Sequence, residues 1–152
     1  PLEGSLEEGE RARSFEPSPA QDGQETFWML TDRGLYRVEG SNLRTIGIPD
    51  VTGWDSAVMG RAPGIRGSVL WLAIDGRLFE LGVSRGNVFV GEVRIDLQVT
   101  SMATDGLGDL WLVADESLYR LTSERDLERF VLPVAQNPQE ASKETLNEHI
   151  NE

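Results

Sequence analysis

Three stretches of the chain carry one arrangement of apolar and polar positions. "ETFWMLTDRGLYRV" (25–38), "SVLWLAIDGRLFEL" (68–81) and "GDLWLVADESLYRL" (108–121) align without a gap on Trp28, Trp71 and Trp111. Each runs Trp, three mostly apolar residues, Asp, two turn residues, Leu, an aromatic, a charge and an aliphatic. The Trp spacings are 43 and 40 residues, the period of four-stranded repeat units. The last repeat predicts "VTSMAT" (99–104), "LWLVA" (110–114), "LYRLT" (118–122) and "LERFVL" (127–132) as strands. Turns rich in Gly, Asp and Ser separate them.

The second strand of each repeat does not alternate. Residues 27–30, 69–74 and 110–114 are apolar almost throughout, so both faces of that strand are expected to be buried. A middle strand in a sheet stacked between two others has this environment, as in propeller blades. Trp28, Trp71 and Trp111 are then buried equivalents. Arg37, Glu80 and Arg120 share one position in the third strand and are placed nearer the outside. Asp32, Asp75 and Asp115 open the turn before it, where Asp is expected to accept hydrogen bonds from nearby backbone N–H groups.

The first and second repeats differ from the third in their first strand. In the second, "VTGW" (51–54) aligns with "VTSM" (99–102), which places Trp54 on an inner strand. "AVMGRAPGIRGS" (57–68) then reads as an inserted loop. In the first repeat, "FEPSPA" (15–20) is the inner strand, its two prolines tolerable only on an edge. The expected fold is all-β, with three four-stranded antiparallel blades forming a partial propeller. Blades are expected at about 15–49, 50–96 and 97–133. Residues 1–14 and 134–152 read as polar tails, the second with a short helix whose N-cap is Ser142.

The third repeat, "D-x-x-G-D-L-W-L-x-A-D-x-x-L-Y-R-L", resembles the two-component regulator propeller repeat, as does "TDRGLYRV" (31–38). NHL and virginiamycin B lyase-like propellers share the "D-G-x-L-W" pattern. The second repeat lacks the Asp-Gly before its Trp, and Ser117 stands where Gly is usual. The resemblance implies a sensor or binding platform, with an extracytoplasmic setting and no catalytic residues to carry over.

Charge narrows the partners. The net charge is −12, and residues 1–25 hold seven acids against two bases. Binding to nucleic acid or to anionic lipid needs the opposite balance. No apolar run is long enough to span a bilayer. The opening ten residues are acidic, where a secretion signal is basic and then apolar; the missing initiator Met leaves room for a signal removed by processing.

Candidate chemistry is sparse. Cysteine is absent, and His149 in the tail is the single histidine. No triad, zinc set or phosphate loop is legible. "DGLGD" (105–109) offers oxygen atoms without EF-hand spacing. The reading is a non-catalytic ligand-sensing or protein-interaction module without cofactor or metal, which needs further blades from a second copy or another chain. A propeller lyase or hydrolase with a channel-mouth site is the alternative. The candidate binding face is the rim of second-to-third-strand turns, Asp32, Arg33, Asp75, Arg77, Asp115 and Glu116, with Trp54 at the channel. Acids outnumber bases there, which suits a protein or small polar ligand.

Overall fold

The computed structural model describes residues 5–21, 24–64, 67–122 and 124–131. His149 and the C-terminal helix lie outside them. The described residues form three four-stranded antiparallel sheets, each in simple sequential order. Blade 1 holds β1 (Ala12–Gln21), β2 (Gln24–Thr31), β3 (Leu35–Glu39) and β4 (Asn42–Ile46). Blade 2 holds β5 (Val58–Gly64), β6 (Gly67–Ile74), β7 (Arg77–Ser84) and β8 (Asn87–Arg94). Blade 3 holds β9 (Val99–Thr104), β10 (Leu110–Ala114), β11 (Ser117–Leu121) and β12 (Leu127–Val131). A single 3-10 turn, Trp54–Ser56, interrupts the β structure of the described residues.

Register makes the three repeats equivalent. On β2, β6 and β10 the Trp faces Glu16, Gly60 and Ala103 on one side. On the other it faces Arg37, Glu80 and Arg120. Neighbouring strand residues point to opposite faces, and the blades stack through those faces. Trp28, Leu30 and Leu35 of blade 1 pack with Leu70, Leu72 and Phe79 of blade 2. Trp71, Ala73 and Leu78, on the other face of blade 2, pack with Leu110, Leu112 and Tyr119 of blade 3.

Blade 2 therefore buries both faces, as the apolar run of β6 requires. Blade 3 departs from that expectation. In β10 buried residues alternate with half-buried ones, and Trp111 and Val113 fall on the half-buried side. The expectation of a buried Trp111 fails because no further sheet among the described residues lies against that face. Arg37 departs the other way. Placed near the outside by sequence, it is 1% exposed, enclosed at the joint between blades 1 and 2.

The inner strand of blade 2 also differs. Residues 51–54 belong to the linker, and the stretch read as an inserted loop supplies β5, with Pro63 paired to Ser68. Innermost strands hydrogen-bond on one side only, so a proline without an N–H is tolerated. Pro17 in β1 pairs with Phe27 in the same way. At Gly60 the inner strands touch: an added Cβ would lie 2.6 Å from Met102 Cγ.

Candidate functional site

The rim turns are built around their aspartates. Asp75 and Gly76 form the two-residue turn between β6 and β7, with φ of 53° and 71°. Positive φ at both positions matches the right-handed twist of a hairpin. In blade 3 the same turn is made by Asp115 and Glu116, φ 50° and 62°, without a glycine to relieve it.

Two of the aspartates bind backbone N–H groups of a distant segment, not those of the nearby turn. Asp32 Oδ1 accepts from Arg11 N–H at 2.9 Å, directly ahead of β1. The Asp75 carboxylate accepts from Thr52 N–H at 2.7 Å and Gly53 N–H at 3.1 Å, ahead of the 3-10 turn. A Cβ on Gly53 would sit 2.3 Å from Asp75 Oδ1, so a side chain there would push the carboxylate from its present place. In both blades the turn carboxylate thus holds the segment that leads into the first strand. Asp115 and Glu116 are exposed.

The arginines of the rim are paired. Arg33 Nη1 reaches Glu7 Oε2 at 3.2 Å and the Glu8 carbonyl at 3.3 Å. Arg77 grips Glu92 through two hydrogen bonds of 2.6 and 3.0 Å and donates to the Pro49 carbonyl at 3.1 Å. The Arg77 hydrogen bond holds the Glu92 carboxyl below its usual range, and that bond raises Arg77 in turn. Arg77 therefore clamps the linker between blades 1 and 2. Trp54 is in the 3-10 turn instead of on an inner strand, because that strand begins at Val58. It packs against the core of the first joint, and its carbonyl accepts from Arg13 Nη1 at 2.7 Å.

Two arrangements escaped the sequence reading. Residues 5–11, read as part of a polar tail, carry the buried Glu10, and β1 starts at Ala12, inside the same stretch. Glu10 Oε1 accepts from Thr31 Oγ1 at 2.6 Å and from the Tyr36 hydroxyl at 2.7 Å. Burial alone would raise the Glu10 carboxyl. The bonds from Thr31, Tyr36 and Glu7 N–H, with Arg33 nearby, hold it below the usual range. Burial and the bond to Glu10 push Tyr36 up to about 12. No local pattern marks Glu10, since its side-chain partners Thr31 and Tyr36 lie more than twenty positions away.

The second arrangement is at Asp105, the start of "DGLGD". Its Oδ2 accepts from Trp111 Nε1 at 2.8 Å, and its Oδ1 from Leu107 and Asp109 N–H at 2.8 and 3.0 Å. The Trp111 bond, followed by those from the backbone, holds this carboxyl below its usual value. The repeated Asp six positions before Trp was the available signal. Its physical content is an indole N–H that needs an acceptor at the sheet end. Among the described residues, no three His, Cys, Asp or Glu side chains gather as a metal site would need.

A comparison with protein-family models and a search of curated proteins gave no match. Among solved structures, the chain is similar to selenomethionine-substituted virginiamycin B lyase from Staphylococcus aureus, with a TM-score of 0.53 and 19% identity. The likeness covers 78% of this chain and 42% of that one, so the chain spans less than half the neighbour's length. At that identity the likeness speaks for the fold alone: the three sheets are blades of a β-propeller.

Proposed function

We propose that the chain is a propeller segment, of the two-component regulator type, that works as a ligand-sensing or protein-interaction module and is completed by further blades from a second copy or another chain. One observation carries the reading. The outer face of blade 3 leaves Phe130 41% exposed beside a half-buried Trp111, their rings 5.6 Å apart. Apolar faces left open on a soluble protein mark interaction surfaces. Propellers use about four to eight blades, and three are seen here. The rim remains the proposed ligand face, with Asp115 and Glu116 as its exposed acids and Asp32, Asp75, Arg33 and Arg77 holding its shape. Sedimentation at micromolar concentration tests the reading. Association is expected; a stable, sharply melting monomer would overturn it.

A propeller lyase or hydrolase is the second reading, favoured by the fold shared with a lyase. Loss of virginiamycin B incubated with the chain, followed by mass, would support it.

A further inference from the structure

Both internal joints place a guanidinium over the Trp of the preceding blade. Arg37 lies 5.3 Å from the Trp28 ring centre and Arg125 5.2 Å from that of Trp71. Arg37 comes from the strand beside its Trp, whereas Arg125 comes from the next blade. The difference follows from the residue paired with the Trp. In blade 2 that residue is Glu80, and Arg125, in the turn before β12, forms an ion pair with it across the joint. In blade 1 it is Arg37. Leu127 pairs with Leu121 as Val90 pairs with Leu81, so Val88 holds in blade 2 the place of Arg125. Val88 packs against the first core and offers Arg37 no charge. Arg37 is left with Glu39 at 3.0 Å, out of line for a hydrogen bond, and all three of its side-chain nitrogens lack hydrogen-bond partners.

Arg120 repeats the blade 1 pattern on the open side of blade 3. It lies 5.5 Å from the Trp111 ring centre. Its Nη2 donates to Glu128 at 2.6 Å, while its buried Nε has no partner. The same register identifies the position that would meet it across a third joint.

We propose that the Trp111–Arg120–Phe130 face receives a fourth blade of the same repeat type that carries an acidic residue at the place Arg125 fills in blade 3. The partner's face would present an aliphatic-aromatic row like that of Leu110, Leu112 and Tyr119. The second joint supplies the argument, because there an acid and a guanidinium meet in that geometry; at the third the charges are exchanged. Blade 1 of a second copy is a poorer match. Leu43 pairs with Val38, which puts Ser41, not an acid, at the meeting place. This inference rests on the reading of the chain as a segment that further blades complete.

The test appends a second copy of residues 97–131 to the full chain, its own Trp replaced by Phe. Four versions combine Arg120 or Arg120→Glu in the parent blade with Arg125 or Arg125→Glu in the copy. Acrylamide quenching of Trp111, taken by difference against Trp111→Phe, reports docking. The opposite-charge pairs are expected to dock about tenfold more tightly than the like-charge pairs, because like charges set opposite each other at an interface oppose docking. Comparing the two copies against unaltered Arg120 keeps the test independent of how Arg120→Glu folds. Equal quenching in all four would overturn the proposal. So would concentration-dependent protection of Trp111 in the unextended chain, which would name a second copy as the occupant. Sedimentation of the unextended chain separates the two failures: association with equal quenching removes this inference and leaves the module reading standing.

Discussion

Glu116 occupies a left-handed conformation, φ 62°, which costs a residue with a Cβ about 1–2 kcal/mol. Glu116→Gly is expected to stabilise the chain by roughly 0.5–1 kcal/mol, after the greater unfolded-state freedom of glycine is set against the relief. A thermal melt checks it, and an unchanged or lower midpoint would count against strain there. Glu10 gives a pH signature. Its folded pKa is depressed, so its contribution is full above the unfolded carboxylate value near ~4.3 and is lost as pH falls through the lower folded value. Tyr36 is raised to about 12; its contribution is full below ~10 and is lost as pH rises toward the folded value. Glu10→Gln should bring Tyr36 part of the way back, since burial, the larger cause, remains. Ultraviolet titration of the phenolate reads this directly. The turn positions of the aspartates were legible in the sequence because turn chemistry is local, but their partners were not: Asp32 and Asp75 accept from Arg11 and from Thr52 and Gly53, more than twenty positions away. Glu10 was not, because a carboxylate in an acidic stretch looks solvated until Thr31 and Tyr36 fold over it.

The second and third strands of each repeat were legible because an apolar run between turn residues dictates a strand whatever surrounds it. The first strands were harder. Residues 57–68 contain Pro63 and several glycines, a composition that suggests a loop. The edge-strand argument that admits prolines in β1 applies equally to β5, where Pro63 pairs with Ser68. Glycine there answers a packing need as well: Gly60 leaves room for Met102 from β9. Gly60→Val is expected to cost about 1–3 kcal/mol, the range for overpacking a fitted contact. Denaturant melts check it. Gly60→Val with Met102→Ala should recover part of the loss, because the clash is with that side chain. Recovery failing entirely would place the strain in the backbone.

The stacking of blades sets what each Trp contributes to the whole molecule. Trp71 is 7% exposed, sealed by blade 3 and by Arg125. Trp71→Ala should cost about 3–5 kcal/mol, enough to threaten a domain whose total is about 5–15 kcal/mol. Trp111→Ala should cost the isolated chain about 2 kcal/mol, because an open face has buried less of that ring. Equal losses in the two melts would mean that the face beside Trp111 is covered in solution. By itself the sequence determined the all-β class, the number of repeats, the equivalence of the three Trp and the turns that separate strands. These follow from local period and turn chemistry, which need no neighbour. Only the tertiary structure decided which residues lie inside a joint and which lie on an open face. Arg37 and Arg120 hold the same place in the repeat, yet one is enclosed and the other half-open. Burial depends on whether another sheet stands against the blade, and the repeat pattern reads the same whether or not one does.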